Sequence, residues 1–391
     1  MPFSSLQGFV MRVCAGSWRT TVAQGTPFHG PAPGDVLRTL GPASWTFSTA
    51  EGGLQRKCKS PQLAWLCQQR AAKGSCSNTP RQEAAAVPSS SVGHRRAIST
   101  RSPKMAAVPG GGAAGEGVTF VTSDHAMRRN ADPGAVAFVT GGNRGIGLEL
   151  TRQLLAKVKG TIVAACRDPA SAADLHALGM EAGNENRLDV VTMDIKDQAS
   201  VDAAAEHVRT KYGRLDLLFN VAGVLGDGKS TPGPERSLRA MNRDWLRHTL
   251  EVNAVGPMML VAALAPLLES PAKKGDNGAR PPSVVVNFSA RVGAIGDNSM
   301  GGWHSYRMSK AALNMATKGI SIELKRRRVW VFSYHPGTTD TGLSKPFQSN
   351  VKPEKLFTTD YTVSQMLGIV DSMTEDLTGG FYAFDGSRIV W

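Results

Sequence analysis

The chain has 391 residues, of which 41% are hydrophobic and 20% are charged, so it can bury a sizeable core. Its net charge of +13 arises mainly in the first 130 residues, which carry 15 basic and 5 acidic side chains, whereas the remaining 261 carry 30 and 27. The positive charge therefore does not indicate a nucleic-acid surface on the rest of the chain, and we expect no nucleic-acid partner.

Cysteine and histidine usage excludes a disulfide framework and a metal site. Four of the five cysteines lie in the first 130 residues, and Cys166 is the fifth. An odd total with one cysteine outside the N-terminal segment is typical of a reducing compartment. The eight histidines lack the spacing of zinc ligands, so we assign no metal.

Residues 1–130 show neither helical nor strand periodicity and are rich in Ala, Ser, Gly, Pro and Arg. Such a segment cannot bury enough apolar surface to offset its ordering entropy, so we expect a disordered leader. Its basic, Ser-rich and acid-poor composition is typical of a transit peptide to an organelle, either a plastid (chloroplast) or a mitochondrion. Alternatively, translation starts at Met105 or Met127, which would give a cytoplasmic protein.

From residue 134 onward, short apolar runs alternate with amphipathic stretches. The runs predict strands at 135–139, 161–165, 188–193, 215–219, 283–288, 329–333 and 381–384. The stretches predict helices at 146–158, 171–182, 198–212, 241–268 and 306–327. This alternation predicts the α/β class, with a doubly wound parallel sheet of the Rossmann type in one domain, residues 131–391.

The longest uncharged run, Val252–Leu268, contains Asn253, Gly256 and two prolines. Its length of 17 residues is at the lower limit for a membrane span. We interpret it as a buried helix and expect no membrane span.

A glycine-rich turn connects the first predicted strand to the first helix, with the sequence Thr-Gly-Gly-Asn-Arg-Gly-Ile-Gly at 140–147. Gly141 allows a tight turn, Gly145 lets the backbone approach a pyrophosphate, and Gly147 permits close packing of the helix. The helix N-terminus then offers unpaired N–H groups and a positive dipole to phosphate. The turn predicts a dinucleotide site formed by Thr140, Gly141, Asn143, Arg144, Gly145, Ile146 and Gly147.

The spacing Thr-Gly-x-x-x-Gly-x-Gly resembles the short-chain dehydrogenase/reductase family, and the resemblance covers nearly all of 134–391. Within the family, the sequence around 291–314 and the C-terminal segment look most like the C-factor-like branch. The resemblance implies oxidoreductase activity with a nicotinamide cofactor.

The end of the second strand distinguishes NADP from NAD. A dinucleotide site that prefers NAD carries an acid about 20 residues after the glycine turn, where it binds the ribose 2′-hydroxyl. Here Arg167 occupies that point, and Arg144 in the turn is a second cation. Two guanidinium groups suit a 2′-phosphate, so we expect NADP (NADPH). The alternative is that Arg167 is only a solvated strand end and Asp168 takes the acidic role.

Further cofactor contacts are implied by the resemblance alone. Asp194 matches the family position that contacts the adenine ring. The sequence at 220–223 resembles the family's Asn-Asn-Ala-Gly, with Val221 in place of the second Asn, and 335–341 resembles its Pro-Gly turn. The residues implied are Asp194, Asn220, Ala222, Gly223, Pro336, Gly337, Thr339 and Thr341.

Tyr306 and Lys310 lie one helical turn apart on the same face of a predicted helix. An unperturbed phenol has a pKa near 10 and is a poor acid or base at neutral pH, and a nearby ammonium favours the phenolate. We therefore expect Lys310 to lower the pKa of Tyr306, which would act as the general acid/base of carbonyl reduction. In the family this lysine also binds the nicotinamide ribose.

Two further catalytic positions follow from the resemblance. Asn253 matches the family Asn that holds a water on the proton relay to the lysine; alternatively, it bonds its own backbone at a helix kink. The family serine that binds the substrate carbonyl is replaced by Ala290, which leaves Ser289 one residue early. Because strand side chains alternate, Ser289 should point away unless the strand end bends. We retain Ser289 as a candidate; the alternative is another donor from the insertion at Gly293–Trp303.

These features predict an NADP(H)-dependent oxidoreductase that reduces a small carbonyl to an alcohol, or catalyses the reverse reaction. The alternative is a catalytically weak NADP-binding scaffold or redox sensor, because Ala290 occupies the serine position. Family resemblance implies a homodimer or homotetramer.

Overall fold

The computed structural model describes residues 119–226, 233–270 and 279–391, and the backbone of three short strands before them. The chain divides into two units, Met1–Arg96 and Ala97–Trp391. In the first unit, β1 (Thr46–Ala50) pairs antiparallel with β2 (Gly53–Lys57). Most of the predicted disordered leader lies outside the described residues.

The second unit contains a seven-stranded parallel sheet, with two short strand pairs beside it. The short strands are β3 (Ala107–Val108), β4 (Thr119–Phe120), β11 (Thr338–Thr339) and β12 (Leu356–Phe357). The strands of the main sheet are β5 (Val136–Thr140), β6 (Thr161–Cys166), β7 (Leu188–Thr192), β8 (Leu217–Asn220), β9 (Ser283–Phe288), β10 (Val329–His335) and β13 (Phe381–Ala383).

The strand order is β13-β10-β9-β8-β5-β6-β7, and every neighbouring pair is parallel. The chain builds β5, β6 and β7 outward on one side, then crosses back to build β8 and the later strands on the other. This reversal between β5 and β8 is the switch point at which doubly wound folds bind ligands, beyond the carboxyl ends of the strands. The predicted doubly wound Rossmann fold is confirmed.

Eight helices are present in the described part of this unit. They are α1 (Asp124–Ala131), α2 (Gly145–Lys157), α3 (Ala173–Met180), α4 (Gln198–Tyr212), α5 (Arg243–Leu250), α6 (Gly256–Leu268), α7 (His304–Glu323) and α8 (Thr359–Asp371). A π-helical turn, Glu251–Val255, joins α5 to α6.

The helices cover both faces of the sheet. Leu150 of α2 and Met366 of α8 pack on one face, whereas Val208 of α4, Leu264 of α6 and Ile320 of α7 pack on the other. All residues of β5 and β9 are buried, as expected for strands covered on both faces. Arg243–Leu268 is long and apolar enough to cross a membrane. Half of its most apolar stretch of 18 residues is buried inside the protein, as in a core helix.

The folded unit begins before residue 131, the predicted start of the domain. Ser123 accepts a hydrogen bond from Ala126 N and thereby caps α1, and Arg129 forms a buried ion pair of 2.8 Å with Asp371 at the end of α8. Phe120 fills the space beside Gly368, where an added Cβ would lie 2.3 Å from the ring. Residues 119–130 therefore belong to the domain and not to the leader.

Candidate active site

The glycine-rich turn lies between β5 and α2 at the carboxyl edge of the sheet. Gly141 and Gly145 have φ values of +68° and +54°, a region that favours glycine. A Cβ on Gly147 would lie 2.1 Å from the Gly141 carbonyl oxygen, so this glycine lets the helix start directly over the turn. The first N–H groups of α2 have no acceptor within the helix and can donate hydrogen bonds to a pyrophosphate.

Thr140, which we expected to contact the cofactor, uses its hydroxyl within the protein. Its Oγ1 accepts hydrogen bonds from Val221 N at 2.9 Å and Ala222 N at 3.0 Å. It thereby ties the end of β5 to the turn after β8, which holds the two sides of the switch point together.

The Arg144 and Arg167 side chains are exposed, and neither forms an ion pair or hydrogen bond with any described residue. Arg144 precedes α2, and Arg167 follows β6, the neighbouring strand. Asp168 beside it is also exposed. Both guanidinium groups are therefore available to an anionic ligand at this edge.

Asn220, at the end of β8, is 2% exposed, and its Nδ2 donates to Asn287 Oδ1 at 2.8 Å. Its Oδ1 has no partner among the described residues, although a buried polar atom normally has one. A nicotinamide dinucleotide fits these features: a glycine turn at a helix N-terminus, two exposed guanidinium groups that pair with no described residue, and a buried acceptor. Asp194, by contrast, uses its Oδ1 to accept from Lys196 N at 3.0 Å.

The segment after β10 reaches the glycine turn from the other side. Gly337, which follows Pro336, has a φ of +73°, and a Cβ there would lie 2.5 Å from the Phe357 ring. Thr339 is buried and shares a hydrogen bond of 2.8 Å with Thr362. A Cβ on Gly145 would lie 3.5 Å from Thr341 Cγ2, so Thr341 is brought beside the predicted cofactor.

Tyr306 and Lys310 are brought together on α7. The Lys310 Nζ lies 5.6 Å from the centroid of the Tyr306 ring and donates a hydrogen bond of 2.7 Å to the Phe288 carbonyl oxygen. A Cβ on Gly293 would lie 2.7 Å from Lys310 Cβ, so this glycine allows α7 to approach the end of β9.

Burial governs the protonation of this pair. It raises the pKa of Tyr306 above its usual value and lowers the pKa of Lys310 to about 7. This corrects our expectation that Lys310 lowers the pKa of Tyr306. Desolvation disfavours the charged form of each group, and a lysine with a pKa of about 7 is only partly charged at neutral pH.

Asn253 lies within the π-helical turn and is fully buried. Its Oδ1 accepts from Val224 N at 2.8 Å, and its Nδ2 donates to Val224 O at 2.9 Å and to Ser309 Oγ at 3.0 Å. The side chain therefore joins the segment after β8 to α7. A Cβ on Gly223 would lie 3.2 Å from Asn253 Oδ1 and 3.7 Å from Lys310 Nζ, which places both groups around that glycine.

The Ser289 side chain is directed at α7. It is 3% exposed, and its Oγ donates a hydrogen bond of 2.7 Å to Asn314 Oδ1 on α7. The extended backbone of Ala290 continues the strand geometry, so no bend reverses the alternation of side chains. The hydroxyl hydrogen of Ser289 is therefore used in a hydrogen bond that joins the end of β9 to α7.

Sequence reasoning missed two ionisable residues near the site, of which Glu235 is buried and His335 is half-buried. Glu235 is 5% exposed and contacts the start of α7, and His335 ends β10 with an Nδ1 that has no hydrogen-bond partner in the described part of the chain. Burial, together with the charge of Arg291, lowers the pKa of His335 to about 4. Glu235 belongs to no motif with fixed spacing, and His335 lies in the segment 335–341, whose resemblance to the family's Pro-Gly turn carries no signal for the state of its imidazole.

Comparison with known proteins identifies the family. The short chain dehydrogenase family pattern matches residues 135–352. The 1-hydroxy-2-glutathionyl-2-methyl-3-butene dehydrogenase of Rhodococcus sp. (strain AD45) is 31% identical over 259 residues, covering 66% of this chain and 100% of that protein.

Two solved structures share the fold. NADPH-bound carbonyl reductase from chicken fatty liver has a TM-score of 0.57 and 29% identity, covering 66% of this chain and 98% of that one. Carbonyl reductase Sniffer of D. melanogaster has a TM-score of 0.57 and 28% identity, covering 66% and 100%. With its seven-stranded parallel sheet and glycine turn, the chain belongs to the short-chain dehydrogenase/reductase family.

Proposed function

We propose that the protein is an NADPH-dependent carbonyl reductase in which Tyr306 is the general acid/base. The observation that carries this proposal is the pairing of the half-buried Tyr306 with the buried Lys310 on α7, at the carboxyl edge of the sheet that also presents the glycine turn. The NADPH-bound state of the chicken carbonyl reductase, a relative in fold and sequence, supports the cofactor.

The protonation of Tyr306 suits the reductive direction. Bound NADPH would supply the hydride, which adds to the carbonyl carbon and leaves the carbonyl oxygen as an alkoxide. Burial raises the pKa of Tyr306 and so keeps the phenol protonated at neutral pH, the form that can donate a proton to the alkoxide oxygen. Lys310, with a pKa of about 7, can take up a proton and then stabilise the phenolate that remains.

Arg144 and Arg167 would bind the 2′-phosphate of NADPH. Both are exposed and make no ion pair with a described residue. A bidentate guanidinium–phosphate contact would favour NADPH over NADH.

A catalytically weak NADP-binding protein is the second candidate function. The observation that favours it is the pair Ala290 and Ser289, since the first has no hydroxyl and the second directs its hydroxyl at Asn314. In that case the protein would bind the cofactor but turn over carbonyls poorly.

NADPH oxidation with a panel of aldehydes, ketones and quinones separates the two functions. We expect wild type to reduce at least one class, and Tyr306→Phe to lose about 100-fold or more in kcat while binding NADPH normally. Turnover by Ala290→Ser together with an inactive wild type would instead support the binding protein.

We also propose that the protein forms a homodimer or homotetramer through α6 and α7. Exposed apolar side chains recur at every seventh residue of α7, and further ones lie on and just before α6: Met308, Met315, Ile322, Val255, Met258 and Met259. Exposed apolar side chains that recur along a helix in this way are typical of a protein interface.

For the N-terminal segment we propose a transit peptide to a plastid or mitochondrion. Its basic, acid-poor composition supports this proposal. Import of the full chain into isolated chloroplasts and mitochondria, followed by N-terminal sequencing of the imported product, tests it; a product that stays outside both organelles contradicts it.

A further inference from the structure

A buried carboxylate from a separate segment holds the start of α7. Glu235 Oε2 accepts from Ser305 N at 3.2 Å, and its Oε1 accepts from the Ser305 hydroxyl. The backbone carbonyl of Glu235 accepts from Trp303 N at 2.5 Å. Three hydrogen bonds thus join one residue to the first turn of this helix.

The approach to α7 explains why an external acceptor is needed. Gly301, Gly302 and Trp303 have φ values of +63°, +65° and +52°, so three consecutive residues are left-handed. For Trp303 this conformation is strained, and the residue forms no side-chain cap on the helix. Glu235 supplies the missing acceptor, and its carboxylate lies at the positive end of the helix dipole.

The contact lies one residue from the reacting phenol. Ser305 is fully buried and directly precedes Tyr306. Two residues before Glu235, a Cβ on Gly233 would lie 3.0 Å from the Phe347 ring, and Phe347 in turn packs on Trp303. Glu235 therefore belongs to a segment that contacts the aromatic pair Phe347 and Trp303 beside Tyr306. The same segment contacts the backbone of α7, which carries Tyr306.

We propose that Glu235 is a positioning residue, which fixes the first turn of α7 and thereby the direction of the Tyr306 phenol. The inference rests on the proposed function, because it assumes that Tyr306 transfers the proton. Without the carboxylate, the Ser305 N–H and hydroxyl would lose their buried acceptor, and Trp303 could leave its left-handed conformation.

The test compares Glu235→Ala, Glu235→Gln and Ser305→Ala in the full chain, with Asp244→Ala as the matched control. Asp244 is also an acid in the first turn of a helix, α5, but its side chain is 91% exposed. We measure kcat and KM for a carbonyl that wild type reduces, the Kd for NADPH, and hydrogen exchange of the peptide that contains Ser305 and Tyr306.

We expect Glu235→Ala to lower kcat by about 10- to 100-fold, with KM and the Kd for NADPH within about threefold of wild type. Exchange at the start of α7 should accelerate by about tenfold or more, with little change elsewhere. Glu235→Gln retains an acceptor and should recover most of kcat. Ser305→Ala should have an intermediate effect, and Asp244→Ala should behave as wild type.

Unchanged exchange and kcat in Glu235→Ala would overturn the positioning role. An equal loss of kcat and of NADPH affinity would also overturn it, because that pattern indicates general destabilisation. If wild type reduces no carbonyl but Glu235→Ala still accelerates exchange at the start of α7, the contact is upheld and the proposed function fails.

Discussion

The hydroxyl of Ser289 donates a hydrogen bond of 2.7 Å to Asn314 Oδ1, which holds the end of β9 against α7. Both residues are buried, at 3% and 4% exposure. Ser289, next to the family serine position at Ala290, thus helps to hold the helix that carries Tyr306.

Removing this hydroxyl should reduce stability. We expect Ser289→Ala to lower the free energy of unfolding by about 1–3 kcal/mol, because the buried Asn314 Oδ1 loses its donor. In urea denaturation, Ser289→Ala and Asn314→Ala should be non-additive by about 0.5 kcal/mol or more. Ser364→Ala, on the exposed face of α8, should change stability by less than about 0.5 kcal/mol. Additive effects would contradict the pairing.

Arg167→Asp should change cofactor preference. The substitution removes one charge-assisted contact and repels the 2′-phosphate, and such contacts contribute roughly 1.5–3 kcal/mol, so NADPH affinity should fall by about 10- to 100-fold. NADH has no such phosphate and should lose far less. Fluorescence titration with both cofactors measures the difference, with Arg326→Asp, an exposed residue just before β10, as the control. An equal loss of affinity for NADPH and NADH would show that Arg167 does not bind the 2′-phosphate and is only a charged residue at the end of the strand.

Lys310 should make stability depend on pH. Its pKa is about 7 when buried, against 10.5 for the free side chain. Between these values the unfolded chain holds a proton that the folded protein lacks, so the contribution of this lysine to stability rises with pH and is least favourable below pH 7. We expect Lys310→Met to be more stable than wild type at pH 6, by an amount on the order of a few kcal/mol, with the difference narrowing towards pH 10.

Urea denaturation at several pH values tests this expectation, with the half-exposed Lys325→Met as the control. A stability difference between Lys310→Met and wild type that does not vary with pH would show that the lysine is charged to the same extent in both states.

Deletions should locate the start of the folded unit. Removal of residues 1–118 leaves Phe120, Ser123 and the Arg129–Asp371 ion pair intact, so the melting temperature should hardly change. Removal of 1–126 deletes the helix cap and the Phe120 ring and should lower it by about 5–15 °C. Circular dichroism measures both; equal melting temperatures would show that residues 119–126 contribute little. Translation from Met127 would produce the less stable form.

The proposed oligomer should depend on the exposed apolar face of α7. Met315→Asp combined with Ile322→Asp places two charges there, and we expect light scattering to show a monomer where wild type is a dimer or tetramer. Met180→Asp, at an exposed position on α3, serves as the control. A monomeric wild type would refute the interface.

The sequence was sufficient to predict the sheet, because buried parallel strands are short apolar runs that contrast with amphipathic helices. It predicted neither α1 nor α8. Helix α1 is only eight residues long, and it lies at the end of a segment whose overall composition predicts disorder. For α8, Thr358 at the cap and the periodic Val363, Met366 and Val370 were available signals.

At the site, spacing along the chain predicted what one helix or turn can hold. Tyr306 and Lys310 share α7, and the glycines share one turn, so both groups were identified correctly as neighbours. The contact of Glu235 with Ser305 joins residues 70 apart along the chain, and no local pattern encodes it. The pKa directions also depended on burial, which the residue types alone do not specify.

The π-helical turn at Glu251–Val255 has a consequence for the number of residues between α5 and α6. In a regular helix each residue rotates the chain by about 100°, so one deletion in this turn would swing Asn253 or all of α6 by that angle. The hydrogen bonds from Asn253 to Val224 and Ser309 would then be lost without any substitution of the asparagine itself. Segment length here is as much a part of the site as residue identity, and a chain that kept the asparagine but shortened the turn would lack the contact.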